Sequence, residues 1–100
     1  MLDYIANHFR EDITLNSIAH ELGYEPHYLS RIFGNSTGIN LRNYINQYRV
    51  DYAKFVLSES DEPITDIAFS CGFGTIRNFN RVFLKHVGVT PFKFRQKTIK

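Results

Sequence analysis

Apolar residues along the chain recur every three or four positions and never alternate, which predicts helices throughout and no strand. Leu2, Ile5, Ala6 and Phe9 give a short first helix through about Arg10. Thr14 can cap a second helix whose inner stripe is Leu15, Ile18, Ala19 and Leu22, and Gly23 ends it. Pro26 suits the first turn of a third, with Leu29, Ile32 and Phe33 facing inward. Residues 34–38, Gly-Asn-Ser-Thr-Gly, read as loop or a frayed helix end. Asn40 then caps a long fourth helix through about Ser58, with a stripe of Leu41, Tyr44, Ile45, Tyr48, Tyr52, Phe55 and Val56 that neither Gly nor Pro interrupts. Beyond a polar break, Ile64, Ile67, Ala68 and Cys71 mark a fifth helix ended by Gly72, and Phe79, Val82 and Phe83 the inner face of a sixth. Thr90 followed by Pro91 starts a short seventh through Phe94. The expected fold is all-α.

The pattern also repeats. Ile18, Ala19, Gly23, Ser30, Arg31, Ile32, Phe33 and Gly38 recur as Ile67, Ala68, Gly72, Asn80, Arg81, Val82, Phe83 and Gly88. The first three pairs lie 49 residues apart and the rest 50, so one residue is inserted after the second glycine. Each copy meets the needs of a helix-turn-helix. Ala19 and Ala68 are small where two helices would cross, and Gly23 and Gly72 end the first helix cheaply. Leu29 with Phe33, and Phe79 with Phe83, pin the second helix and leave its outer face open to a major groove. A two-unit helical solenoid is the plainer alternative, but solenoids need at least three units for stability. The chain therefore divides into a first lobe over 1–39, a linker helix over 40–58 and a second lobe over 59–100. The second helices, about 26–34 and 75–87, are the recognition elements.

Charge sharpens this reading. Residues after Asp66 carry no acid and seven bases, +7, whereas residues 1–66 carry ten acids and five bases, −5. So basic a half implies a polyanionic partner. No apolar run approaches the roughly 20 residues of a membrane helix. No basic stretch followed by an apolar one opens the chain, so no signal peptide is expected. The single cysteine fits a reducing, cytoplasmic setting. The four histidines and Cys71 lack metal-ligand spacing, and no phosphate loop or nucleophile motif occurs, so neither an enzyme nor a cofactor is expected.

Ala68, Gly72, Phe73, Phe79, Arg81, Phe83, Gly88, Thr90, Pro91 and Arg95 fall, in order, on a longer pattern: Ala-x-x-x-Gly-Phe, Phe-x-Arg-x-Phe-Lys, Gly-x-Thr-Pro-x-x-Tyr-Arg. By these residues the chain resembles the DNA-binding domain of the AraC/XylS family of bacterial transcription regulators. Lys85 falls one place late, Phe94 stands for the usual tyrosine, and Asn78 for a common aromatic. Gly74 stands for a capping serine, so the sixth helix is expected to start less firmly than in relatives. The resemblance implies double-stranded DNA as partner, with helices three and six in adjacent major grooves of an asymmetric site. It also implies that contact with RNA polymerase can coexist with DNA binding. This domain is expected to be monomeric and to be excised from a longer regulator, which a separate N-terminal domain could make dimeric.

Match to the family's base-contacting positions implies His27, Ser30 and Arg31 on helix three, and Ile76, Arg77, Asn80 and Arg81 on helix six. Arginine can pair with guanine, asparagine with adenine, and isoleucine can lie against a thymine methyl. His27 could equally bond a phosphate, and Arg31 and Arg81 could instead serve internal ion pairs. Helix N-termini attract anions, which adds Thr14, Asn40 and Thr90 as phosphate contacts beside Lys85, Lys93 and Arg95. Arg49, amid Tyr48, Val50 and Ala53, reads as a bond across the lobes. A helical protein-interaction module with tyrosine anchors is the competing reading, and it would select no DNA sequence.

Overall fold

The computed structural model describes residues 2–98. Among them are seven helices and no strand: α1 (Leu2–His8), α2 (Leu15–Leu22), α3 (Pro26–Thr37), α4 (Leu41–Glu59), α5 (Ile64–Ser70), α6 (Ile76–Val87) and α7 (Pro91–Thr98). The all-α expectation holds, with several boundaries moved. α1 stops at His8, two residues before Arg10. α7 runs on past Phe94 to Thr98, whose hydroxyl donates to the carbonyl of Arg95 at 2.9 Å. Of residues 34–38, read as loop or a frayed helix end, 34–37 form the last turn of α3 and Gly38 is its cap. There the Thr37 hydroxyl donates to the Phe33 carbonyl at 2.9 Å, and Gly38 closes the helix through its N–H to Gly34 at 2.9 Å. A glycine inside a helix costs about 1 kcal/mol, which these end contacts and the buried Leu29 and Phe33 outweigh. The repeat held the clue, since Gly38 and Gly88 are partners and each closes a helix of 12 residues.

Side chains hold the starts of α2, α3, α4, α6 and α7, whereas α5 begins at Pro63 with no side-chain cap. Thr14 and Ser17 form a reciprocal capping box at α2, the Thr14 hydroxyl accepting from Ser17 N at 3.1 Å. Glu25, which no motif marked, caps α3: its carboxylate accepts from the N–H groups of His27 at 3.0 Å and Tyr28 at 2.9 Å. Asn40 caps α4 by accepting from Asn43 N at 2.8 Å. Each cap satisfies a backbone donor that the helix cannot.

The linker helix is shared by two cores. Leu41 and Ile45 pack with Ile5, Ile18, Ala19, Leu29 and Phe33 of the first lobe. Val50, Ala53, Val56 and Leu57 pack with Ile67, Ala68, Phe73, Phe79, Val82 and Phe83 of the second. From Ile45 to Val50 a helix turns about 140° beyond a full circle, so the lobes sit on different sides of α4. This rotation is why a single stripe misplaced Phe55, which is 62% exposed, and missed Val50, Ala53 and Leu57. The molecule measures 46 × 22 × 22 Å, one lobe at each end.

Three residues fix the lobes to each other. Arg49 donates through Nε to the Phe9 carbonyl at 2.7 Å and through Nη2 to the Glu11 carbonyl at 3.0 Å, tying α4 to the segment after α1. Burial pulls its pKa below the ordinary arginine value, though guanidinium stays charged regardless. Arg10 reaches the second lobe, donating Nε to the Ser70 carbonyl at 2.7 Å, while its guanidinium covers the Tyr52 ring at 4.5 Å. Gly72 lies where these meet, at φ +104°. A Cβ there would stand 2.5 Å from the Phe9 oxygen and 2.7 Å from Arg49 Nε.

Gly23 also has positive φ, +79°, but nothing lies within 4 Å of the Cβ it lacks. Gly23→Ala is therefore expected to cost only left-handed strain, about 1–2 kcal/mol. Gly72→Ala should cost at least about 3 kcal/mol, because backbone oxygen must also move. Urea unfolding followed by circular dichroism measures both, and equal costs would contradict the packed junction. The Glu25 cap makes a pH prediction as well. Its backbone hydrogen bonds, with His27 first, hold the carboxyl below the usual carboxylate range. A depressed folded pKa contributes stability above the unfolded value that disappears as pH falls through the folded one. Glu25→Ala should lower Tm near pH 7, and the gap to the parent should start to narrow below about pH 4 and close once the pH falls below the folded pKa.

Candidate nucleic-acid interface

Leu29 and Phe33 anchor α3 in the first core, so the opposite side carries His27, Ser30 and Arg31, all exposed. Phe79, Val82 and Phe83 anchor α6, leaving Ile76, Arg77, Asn80 and Arg81 exposed. The two expected base-reading sets thus occupy matching faces of matching helices. α3 packs on α2, and α6 on α5, as the two-helix unit requires.

The start of α6 is firmly set, against expectation. Thr75, not the residue at Gly74, is the cap: its hydroxyl accepts from Asn78 N at 3.0 Å. The glycine therefore leaves the cap intact, and the inserted residue lies in the turn before it. Asn78 has a second task. Its amide oxygen accepts from Arg81 Nη2 at 2.7 Å, which orients the guanidinium without neutralising it. Among the described residues no carboxylate lies within ion-pair distance of Arg31 or Arg81. Arg31 instead approaches the Tyr28 ring, 6.0 Å from its centroid. The internal ion pairs held open for both arginines are absent among the described residues.

The anion-binding candidates divide. Thr14, Asn40 and Thr90 are exposed and serve as helix caps through their oxygens, Thr90 accepting from Lys93 N at 3.2 Å. A capping hydroxyl still has its own proton to donate, and a capping amide its N–H groups. Lys85 and Lys93 are exposed on the second lobe. Arg95 is corrected. Its Nε donates to the Leu57 carbonyl and its Nη2 to the Ser60 carbonyl, each at 3.1 Å, so it closes the C-terminus of α4 and is half-buried. Cation at a helix C-terminus is a stabilising placement.

Two residues that sequence reasoning passed over lie beside the candidate residues. A groove of about 350 Å³ between the lobes brings Arg42 and Asn46 of α4 beside Thr14, Arg49 and Arg81. Their spacing, four residues along one helix face, was readable, but nothing in the sequence showed that face turned toward Arg81. The remaining reactive group is inert. Burial pushes the Cys71 thiol up to about 11, and its sulfur lies against the Ala68 carbonyl. Among the described residues no group of His, Cys, Asp or Glu could hold a metal ion, and no helix is long and apolar enough to cross a membrane.

Comparison with known proteins agrees with this geometry. The model of the helix-turn-helix domain family matches residues 18–97. YtdP of Bacillus subtilis, an uncharacterized HTH-type transcriptional regulator, is 38% identical over 97 residues, which is 97% of this chain and 13% of YtdP. The C-terminal domain of AraT, a response regulator from Geobacillus stearothermophilus, superposes with a TM-score of 0.94 at 33% identity, covering 98% of this chain and 82% of that one. The DNA-binding domain of AdpA, a global transcriptional factor solved with a target DNA, shares the fold at a TM-score of 0.90 and 22% identity, over 96% of this chain and 86% of that one. The chain belongs to the AraC-type helix-turn-helix family, a family of transcription regulators and not of enzymes.

Proposed function

We propose that this chain binds double-stranded DNA sequence-specifically as a single copy and thereby regulates transcription. α3 and α6 enter successive major grooves of an asymmetric site. The observation that carries this reading is the pairing of two equivalent exposed helix faces on one rigid linker. α4 has 19 residues, a length of about 28 Å, beside the roughly 34 Å between successive major grooves on one face of a duplex. The copies repeat along one chain, so their subsites are read as a direct repeat, not a palindrome.

His27, Ser30 and Arg31 read the first subsite, and Ile76, Arg77, Asn80 and Arg81 the second. Thr14, Asn40, Thr90, Lys85 and Lys93 meet phosphates, joined by Arg42 and Asn46 where the backbone crosses between lobes. Phosphate contacts fix register while base contacts specify. The lobes are unequal partners: the first carries more acids than bases, whereas the sequence from 67 onward has no acid. The second lobe therefore supplies more of the sequence-independent affinity.

Selection from randomised duplexes tests the reading. One long, asymmetric consensus is expected, and a protein-interaction module would select none. Salt titrations of the selected duplex then compare the lobes. Arg77→Ala should reduce the slope of log K against log salt by about 1, and Arg31→Ala by less. Equal reductions would contradict the unequal division.

A further inference from the structure

The outer face of α6 is not uniformly polar. Ile76, Asn80 and Leu84 stand four residues apart on one stripe, and two of the three are large apolar side chains left 37% and 47% exposed. They form one wall of a groove of about 620 Å³, mostly apolar, that Ile64 of α5 and Phe92 of α7 complete. Phe92 is 59% exposed. The matching positions of the first lobe differ: Asn80 corresponds to Ser30, and Leu84 to Gly34. Nothing in the fold explains this groove, since the second core is complete beneath it with Phe79 and Phe83 fully buried.

We infer that this groove receives thymine methyl groups, so that the second lobe reads a run of A·T pairs. The inference rests on the DNA-binding reading and deepens it. Two arguments select duplex DNA as the occupant. The groove continues the recognition face: Ile76, Asn80 and Arg81 line it and belong to the proposed base-contacting set. Arg81 lines it, Arg77 and Lys93 are exposed on the same lobe, and Asp66, beside Thr65, is the last acid in the chain. An apolar floor within a basic rim suits a polyanion whose groove presents methyl groups.

The base pair that offers both an apolar group and a partner for asparagine is A·T. Thymine alone carries a methyl in the major groove, and adenine's N6 and N7 match the asparagine amide. Asn80 between Ile76 and Leu84 is therefore the polar reader within an apolar stripe. From Ile76 to Leu84 the helix rises about 12 Å, which spans three to four base pairs at about 3.4 Å each. Cytosine presents an amino donor where Ile76 and Leu84 offer only hydrocarbon, and a G·C pair opposite either one leaves that donor unpaired.

The test replaces thymine by deoxyuridine, which removes the methyl and leaves base pairing unchanged. In the duplex selected by the intact chain, the half bound by the second lobe should be A·T-rich. Replacing its thymines should weaken binding about fourfold for each methyl that meets Ile76 or Leu84, the value of one buried methyl group. Replacement in the first lobe's half should change affinity less than twofold. Ile76→Ala with Leu84→Ala should bind the thymine duplex more weakly and lose the discrimination against deoxyuridine. Both positions are exposed, so unfolding curves of the variant should match the parent and separate the loss from misfolding. A G·C-rich second half, or indifference to methyl removal, overturns the inference and leaves sequence-specific binding standing. Selection of no sequence overturns the DNA-binding reading itself, and this inference with it.

Discussion

The guanidinium of Arg49 is the point on which the arrangement turns. It sits on α4, takes the carbonyls of Phe9 and Glu11 from the first lobe, and lies against Gly72 of the second. Hydrogen bonds from a charged donor contribute about 1.5–3 kcal/mol where the acceptor would otherwise be left dry. Arg10 adds a second tie, to the Ser70 carbonyl at the end of α5. Phe9 fills the space between Tyr48 and Tyr52, with ring centroids 5.4 and 5.9 Å away. Without these contacts the lobes would be joined by a helix alone. With them, the relative orientation of α3 and α6 is a property of the fold.

That junction also explains the sequence of α4. A helix serving two cores on different sides cannot carry one continuous stripe. Its apolar positions change face between Ile45 and Val50, and Arg49 falls at the change. Arg95 then secures the far end of the same helix by taking the Leu57 and Ser60 carbonyls. Basic residues in this molecule thus have two kinds of work. Arg10, Arg49 and Arg95 hold backbone carbonyls inside the structure, while Arg31, Arg77, Arg81, Lys85 and Lys93 stay exposed.

Much of this was legible in the chain because the repeat is a physical constraint repeated. Ala19 and Ala68, Gly23 and Gly72, and the Phe33 and Phe83 anchors must match for both lobes to fold alike, and each is where the pattern placed it. The side-chain partners, local and long-range, were not legible. Glu25 as a cap, Asn78 as the partner of Arg81 and Arg95 as a closure of α4 depend on which way a surface side chain turns. Residue spacing allows a contact such as Asn78 with Arg81, three apart on one helix, but does not say which of several partners a side chain takes. The same limit hid the groove of Leu84 and Phe92, whose walls come from three helices. Gly72 shows the two levels together: its helix-ending role was readable, and its close approach to Phe9 was not.

A rigid pair of reading heads demands that its two subsites keep one rotational phase. The most direct measurement is the affinity of the intact chain for its selected duplex with five base pairs inserted between the subsites. That insertion turns one subsite by about half of a 10.5-base-pair helical repeat. A fixed junction predicts a fall of at least about 100-fold, because the two lobes can no longer bind together. Unchanged affinity would show that the lobes swing independently, and would contradict the account built on Arg49.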